Sequence, residues 1–230
     1  MTIIYYTDNS LDDKIFKKCQ DQLLLAAGSI PIVSVSQRPI ELGKNICVGD
    51  IGRSYHSYYT QILEGLKNCN SENVATVEHD CLYSAEHFEF IPPQKDIFYY
   101  NINVWFVNCI DGKYSYYSRK AQSQLICNRQ ILIKAIEEKL LQTETGYPSE
   151  GRAKYKCEPG VCDHRIEFIE EKKKWCNNYK IQYEQFRAEI FKTEIPNIDI
   201  RHKSNFSIPG SYKKSNKFTF TLPYWGKFNE

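Results

Sequence analysis

The apolar run NVATV (73–77) ends in three consecutive ionisable residues, Glu78, His79 and Asp80. Carboxylates at a strand end can hold Mn2+ or Mg2+, cations that keep several waters and share phosphate oxygens of a substrate. Strand alternation predicts that Glu78 and Asp80 project together and His79 to the opposite side. A second stretch, PNIDIRHKSNF (196–206), delivers His202 at the end of a strand-like run. Imidazole suits Mn2+ in a mainly oxygen site, although a single histidine more often serves an ordinary hydrogen bond. The first apolar run, TIIYYT, closes with Tyr6, Thr7 and Asp8, which bring an aromatic ring, a hydroxyl and a carboxylate to one loop. The same Asp8-Asn9-Ser10 segment is also an ordinary helix-capping sequence. Arg53 closes the glycine-rich segment KNICVGDIGRS (44–54), where it would meet phosphate or sugar hydroxyls. That segment has neither Walker nor G-x-G-x-x-G spacing, which lowers those nucleotide classes. Late in the chain, CEPGVCD places Glu158 before a Pro-Gly turn, with Asp163 reading as the cap of a following helix.

These residues need elements to carry them. Periodicity predicts a strand over 2–7, a helix over 11–27 ended by Gly28, a strand over 31–36, a helix over 54–69 and a strand over 73–80. The order β-α-β-α-β argues for a parallel sheet with helices on its faces. Ligands of such sheets sit beyond the carboxyl ends of the strands, where Thr7, Asp8 and Glu78 to Asp80 fall. The second half predicts an antiparallel pair over 97–109 and 114–117 around Asp111-Gly112. Helices over 121–141 and 163–192 follow, and then a short strand at 198–201. The expected architecture is α/β, a mixed central sheet flanked by helices. It forms one domain over 1–230, a nucleotide-binding half over 1–110 and an acceptor-binding, closing half over 111–230.

Charge separates the two ends of the chain. Residues 1–150 carry a net −4 and residues 151–230 a net +6, a basic end on an acidic body that points to a polyanionic ligand. Tyrosine is abundant (17, with 12 Phe and 3 Trp against one Met), which suits recognition of rings or sugars and also an ordinary Tyr-rich core. No stretch approaches the roughly 20 apolar residues of a membrane span, and MTIIYYTDNS is no secretory leader. The expectation is a soluble, cytoplasmic protein whose nine cysteines are reduced. Among them Cys157, Cys162 and Cys176, with His164, lack the tight paired spacing of a structural zinc site.

Taken together, the element order and the acidic triplet at residue 80 resemble glycosyltransferases of the GT-A fold, a Rossmann-like architecture. The hallmark of that family is a DxD motif binding Mn2+ or Mg2+ on the diphosphate of a sugar nucleotide. Here the triplet is Glu78-His79-Asp80, a departure at the first position that keeps a carboxylate. The resemblance implies Asp80 as the firmest metal ligand, Glu78 nearer the sugar or a metal-bound water, and His202 as a late ligand. It also implies that Tyr6, Thr7 and Asp8 cradle the base and ribose of a UDP-sugar, Tyr6 by stacking. Lys203, Lys213, Lys214 and Lys217 would close over the diphosphate. Inverting transfer needs a carboxylate base, for which Glu158 is the first candidate and Asp163 the second. The runs EHDCLY, SQLICNR, DIRH and LPYWGKF are similar to phage-encoded enzymes that glycosylate hydroxymethylated bases in DNA. That implies double-stranded DNA as a partner and the host cytoplasm as the location. Open alternatives are a glycan acceptor, a nucleotidyltransferase, and a non-catalytic nucleic-acid-binding module using Tyr212, Phe218, Phe220, Tyr224 and Trp225.

Overall fold

Strand β1 (Thr2–Thr7) is buried along its whole length, and its side chains alternate between two cores. Ile4 and Tyr6 face helices α2 (Tyr55–Lys67) and α4 (Arg129–Glu144), packing with Tyr59, Ile62, Leu132 and Ile136. Ile3 and Tyr5 face α1 (Asp13–Ala27) and α3 (Ala85–Glu89), packing with Leu23 and Phe88. A strand buried on both faces reads as a continuous apolar run, which is what TIIYYT is. These relations come from a computed structural model that describes residues 1–146, 158–161, 166–203, 205 and 217–228.

Around β1 the main sheet takes up β2 (Ile32–Ser36), β3 (Lys44–Cys47) and β4 (Asn73–Glu78), all parallel. Beyond β4 lie β9 (Leu125–Asn128), β6 (Ile97–Asn101) and β10 (Arg187–Phe191). Strand β9 is antiparallel to both neighbours, whereas β10 is parallel to β6, so this seven-stranded sheet is mixed. The α/β class and the mixed, helix-flanked sheet are as expected. A smaller five-stranded sheet carries β5 (Cys81–Leu82), β11 (Asn197–Arg201), β7 (Val104–Asn108), β8 (Tyr114–Tyr116) and β12 (Phe218–Thr219), in order from one edge. Its own core includes Trp105, Val107, Tyr114, Ile198 and Ile200.

Caps and close contacts fix the helices. Asp12 accepts the Lys14 N–H at the start of α1, and Ser54 accepts the Ser57 N–H at the start of α2. Gly65 lets α2 lie against β1, since a Cβ there would sit 2.5 Å from Ile4 Cγ2.

The sheet corrects several sequence expectations. Residues 97–109 form two strands in two sheets rather than one. Asn101 accepts the Asn103 N–H (2.9 Å), and the Asn103 amide donates to Thr193 O (2.9 Å), so side chains divert the backbone from the ladder. The expected helix over 121–141 opens instead with a 3-10 turn, Gln122–Gln124, and then β9. Leu125, Ile126 and Cys127 are wholly buried between β4 and β6, and this tertiary setting overrides the helical reading. The helix begins only where Asn128 caps Gln130. Helix α5 spans Ile166–Tyr179; Lys180 then takes a φ of 55°, residues 181–186 are irregular, and β10 follows where the helix was expected to continue. The loop read over 37–53 contains the edge strand β3. The β7–β8 pair turns at Asp111-Gly112 as expected, with Asp111 accepting the Lys113 N–H (2.9 Å).

Candidate functional site

Register aligns the carboxyl ends of β1, β2 and β4, pairing Tyr6 with Glu78 and Thr7 with Ser36. Because β9 runs the other way, its leading turn, Gln122–Gln124, arrives at the same edge. Tyr83 ties these pieces together: its hydroxyl donates to Ser123 O (2.9 Å) and accepts the Glu78 N–H (3.1 Å). A cavity of about 310 Å3 opens there. Its wall includes Tyr6, Thr7, Asp8 and Arg53 from the first half, Glu78 to Asp80 from the middle, and Glu158, Asp199 and Arg201 from the second half.

At its centre Asp80 is buried, with Oδ2 3.3 Å from His202 Nε2 and accepting from Asn205 Nδ2 (2.9 Å). Burial opposes its charge, but the His202 hydrogen bond and the nearby His79 and Arg201 outweigh that and hold its carboxyl below the ordinary value. His79 lies on the same side, contrary to the alternation read from sequence. The ladder ends at Glu78, residues 79–80 form a turn, and period-two logic stops there. Ligand atoms of His79, Asp80 and His202 lie within 4.8 Å of one another, and a second such set joins Glu78, Asp80 and Cys81. Burial holds His79 below its usual pKa, so the ring is neutral near pH 7 and carries a lone pair. A carboxylate kept charged beside neutral imidazole is a donor set that could hold a divalent cation.

The loop after β1 is already knitted. Asp8 pairs with Arg53 (2.6 Å from Nε to Oδ2), accepts from the Ser10 hydroxyl (2.7 Å) and lies 3.8 Å from His79 Nδ1. Thr7 Oγ1 is 2.6 Å from the same His79 nitrogen. Tyr6 is buried, edge-on to Tyr58, and its hydroxyl donates to Glu78 (3.0 Å). Burial, reinforced by Asp80 and Asp199, pushes the Glu78 carboxyl well up.

Glu158 stands on the expected turn. Val161 N–H donates to Glu158 O (3.0 Å), Gly160 takes a φ of 73°, and Tyr100 anchors Pro159 O (2.8 Å). A Cβ on Gly160 would sit 2.8 Å from the Arg187 carbonyl carbon, so the turn is seated on β10. Burial pushes the Glu158 carboxyl up to about 7, against the Gln122 backbone hydrogen bond and Lys139, which pull it down.

Sequence reading missed Asp199, Arg201 and Asn205 as parts of this site. The signal was the alternation in IDIR: Ile198 and Ile200 enter the small sheet's core, leaving Asp199 and Arg201 on the cavity side. Asp199 is pushed up to about 8 by burial and by Asp80, with Arg201 opposing. Lys203 is exposed and is absent from the cavity wall among the described residues. Asp163, Lys213, Lys214, Tyr212, Cys157, Cys162 and His164 lie outside the described residues; Cys176 is buried. Among the described residues, no helix is long and apolar enough to cross a membrane.

No family model matches the chain, and no curated protein matches it. Solved structures are similar at low identity. The glycosyltransferase GlyE of Streptococcus pneumoniae gives a TM-score of 0.45 at 8% identity, over 88% of this chain and 54% of that one. A glycosyltransferase involved in glycosylation of the major capsid of PBCV-1 gives 0.43 at 7% identity, over 86% and 92%. The bifunctional IspDF of Campylobacter jejuni gives 0.40 at 12% identity, over 60% of this chain and 43% of that one. The chain thus spans less than half the length of the Campylobacter protein and about half that of GlyE.

Proposed function

We propose that the cavity binds a nucleoside-diphosphate sugar, such as a UDP-sugar, and that the protein is a metal-dependent glycosyltransferase moving the sugar to a hydroxyl acceptor. The observation carrying this reading is the approach of Asp80, His202 and His79 within 4.8 Å at the carboxyl edge of the parallel strands. In this reading Asp80, His202 and His79 hold Mn2+ or Mg2+, and Glu78 stands beside them. When bound, the cation supplies Lewis-acid neutralisation of the diphosphate leaving group. Thr7, Asp8 and Arg53 orient the nucleotide portion, and Lys203, exposed outside the cavity wall, is the residue that would close over the diphosphate. Tyr6, whose hydroxyl is engaged with Glu78, lines the same end. Glu158, with its carboxyl at about 7, takes the proton of the acceptor hydroxyl. Asp163 is the second candidate for that base.

The finer reading of the acceptor is a hydroxymethylated pyrimidine in double-stranded DNA, favoured by the +6 charge of residues 151–230. A glycan is the alternative acceptor. The deciding test incubates the protein with UDP-sugars and Mn2+, with and without plain or hydroxymethylated DNA, followed by digestion to nucleosides and mass measurement. Mn2+-dependent release of UDP supports the transferase. A mass gain only on hydroxymethylated DNA supports the DNA acceptor. Absence of both, with DNA still bound, favours the nucleic-acid-binding module.

A further inference from the structure

Helix α2 turns one polar side chain back onto the sheet edge that floors the cavity. Gln61 Nε2 donates to Thr7 O (2.7 Å) and to Val35 O (3.4 Å), so both amide hydrogens are spent on the carboxyl ends of β1 and β2. Carbonyls only accept, which fixes the amide's orientation and leaves Oε1 as its free end. Among the described residues nothing donates to that oxygen. The residue is 3% exposed, and it lines the cavity. Its Oε1 is not sealed. The buried polar atoms that have no partner and are closed to solvent include Gln122 Oε1 and Asp199 Oδ1, and Gln61 Oε1 is not one of them. A nearly buried amide thus keeps an unpaired acceptor at the cavity wall, where an N–H of a ligand would restore the hydrogen bond that burial removes. Its place follows from strand order. The sheet runs β4, β1, β2, with Asp80 just past β4 and the Gln61 amide on the ends of β1 and β2. Neighbouring strands lie about 4.8 Å apart, so β2 is about 10 Å across the edge from β4. A diphosphate at Asp80 whose nucleoside runs past Thr7 and Asp8, away from β4, would bring its base to Gln61. Uracil joined to ribose through N1 has a single N–H, at N3, whereas cytosine presents a lone pair there.

We propose that Gln61 is a specificity-determining residue for the nucleobase, its Oε1 accepting the N3–H of uracil, so that the site takes a uridine and not a cytidine diphosphate. This rests on the donor reading above.

Calorimetric titration of the Mn2+-loaded protein with UDP, CDP and N3-methyl-UDP tests it without any sugar or acceptor. The wild type should bind UDP about tenfold or more tightly than either analogue. Gln61→Met keeps the length of the side chain and removes the acceptor. It should bind UDP about tenfold or more weakly, and the preference for UDP over the two analogues should largely disappear. That variant also leaves Thr7 O and Val35 O without their donor, so its fold is checked by circular dichroism; the wild-type comparison carries the test if it does not fold. A wild type that binds UDP no better than N3-methyl-UDP, or that prefers CDP, would overturn the assignment and leave the donor reading standing. So would a folded Gln61→Met that weakens all three nucleotides equally, because a residue that only props the end of β1 would preserve the ratio. A wild type that binds none of the three would overturn the donor reading, and the base subsite with it.

Discussion

At the residue scale, ligand atoms of Asp80, His202 and His79 lie within 4.8 Å of one another, and the proposed cation makes them interdependent. Asp80→Ala or His202→Ala should abolish Mn2+-dependent turnover of the sugar nucleotide while the far-ultraviolet circular dichroism stays native. His79→Ala should join them, because the turn at 79–80 brings its ring to the same side. Glu78→Ala should be milder if it meets the cation only through water. Wild-type turnover by Asp80→Ala after chelation would remove the metal from the reaction.

Glu158 carries a pH signature of definite sign. A base with a carboxyl at about 7 is charged only above that pH, so transfer should rise through pH 7 and then level off. Glu158→Gln should bind donor normally and lose roughly 10²–10⁴-fold in transfer rate. If Asp163→Asn shows that loss and Glu158→Gln does not, the base is Asp163. Stability should move the opposite way. A carboxyl raised on folding favours the neutral form, so its contribution is full below the ordinary glutamate range and is lost as pH rises towards 7. Glu158→Gln should therefore gain stability over the wild type progressively between about pH 4.5 and 7, read from urea midpoints.

At the element scale, the front of the molecule was legible because its strands and helices are long, periodic and capped in the sequence. TIIYYT, IVSVS and NVATVE are buried parallel strands, and Gly28 ends α1 as read, although its cap is Asp12 and not the Asp8-Asn9-Ser10 segment that the sequence offered. The back half was less legible because its identities are set by neighbours. LICN is a strand only because β4 and β6 flank it, and Ile97 to Asn108 divides where two asparagine amides satisfy the backbone. The site followed the same division. Asp80 and Glu78, read from a strand end, lie in the cavity wall with His202 against Asp80, while the side taken by His79 was misread by extending strand alternation into a turn. Asp199 went unread although its alternation with Ile198 and Ile200 was present.

The Glu158 turn allows a test at this scale. Gly160→Ala adds a Cβ at a φ of 73° that would lie 2.8 Å from the Arg187 carbonyl carbon. The turn must shift off β10, costing about 1–3 kcal/mol in chemical unfolding. Transfer should fall further than donor affinity, because Glu158 moves while the loop after β1 does not. Gly65→Ala is the control. It strains α2 against Ile4 at a position outside the cavity wall and should cost comparable stability with little change in the ratio of transfer to donor binding.

At the scale of the whole molecule, the distribution of charge bears on the acceptor. The last thirty residues, from Arg201, hold six basic side chains and one acidic one. A single diphosphate is balanced by two or three contacts, and Arg201 is already committed to Asp199 and the Phe106 ring. Lys217 lies over the Trp105 and Tyr116 rings, but its charge, like that of the other lysines, still adds to a total beyond what one diphosphate needs, and a duplex acceptor would use that charge along its phosphates. Affinity for hydroxymethylated duplex DNA should then fall steeply with salt, with a slope of about −0.9 per phosphate neutralised. Neutralising Lys213, Lys214 and Lys217 together should flatten that slope and raise the apparent KM for DNA, leaving the KM for sugar nucleotide in place. If the segment instead closes over the donor, the same triple substitution raises the sugar-nucleotide KM and leaves the salt slope intact. Acceptor binding that is indifferent to salt would turn the choice to a glycan, since neutral sugars release no counterions on binding.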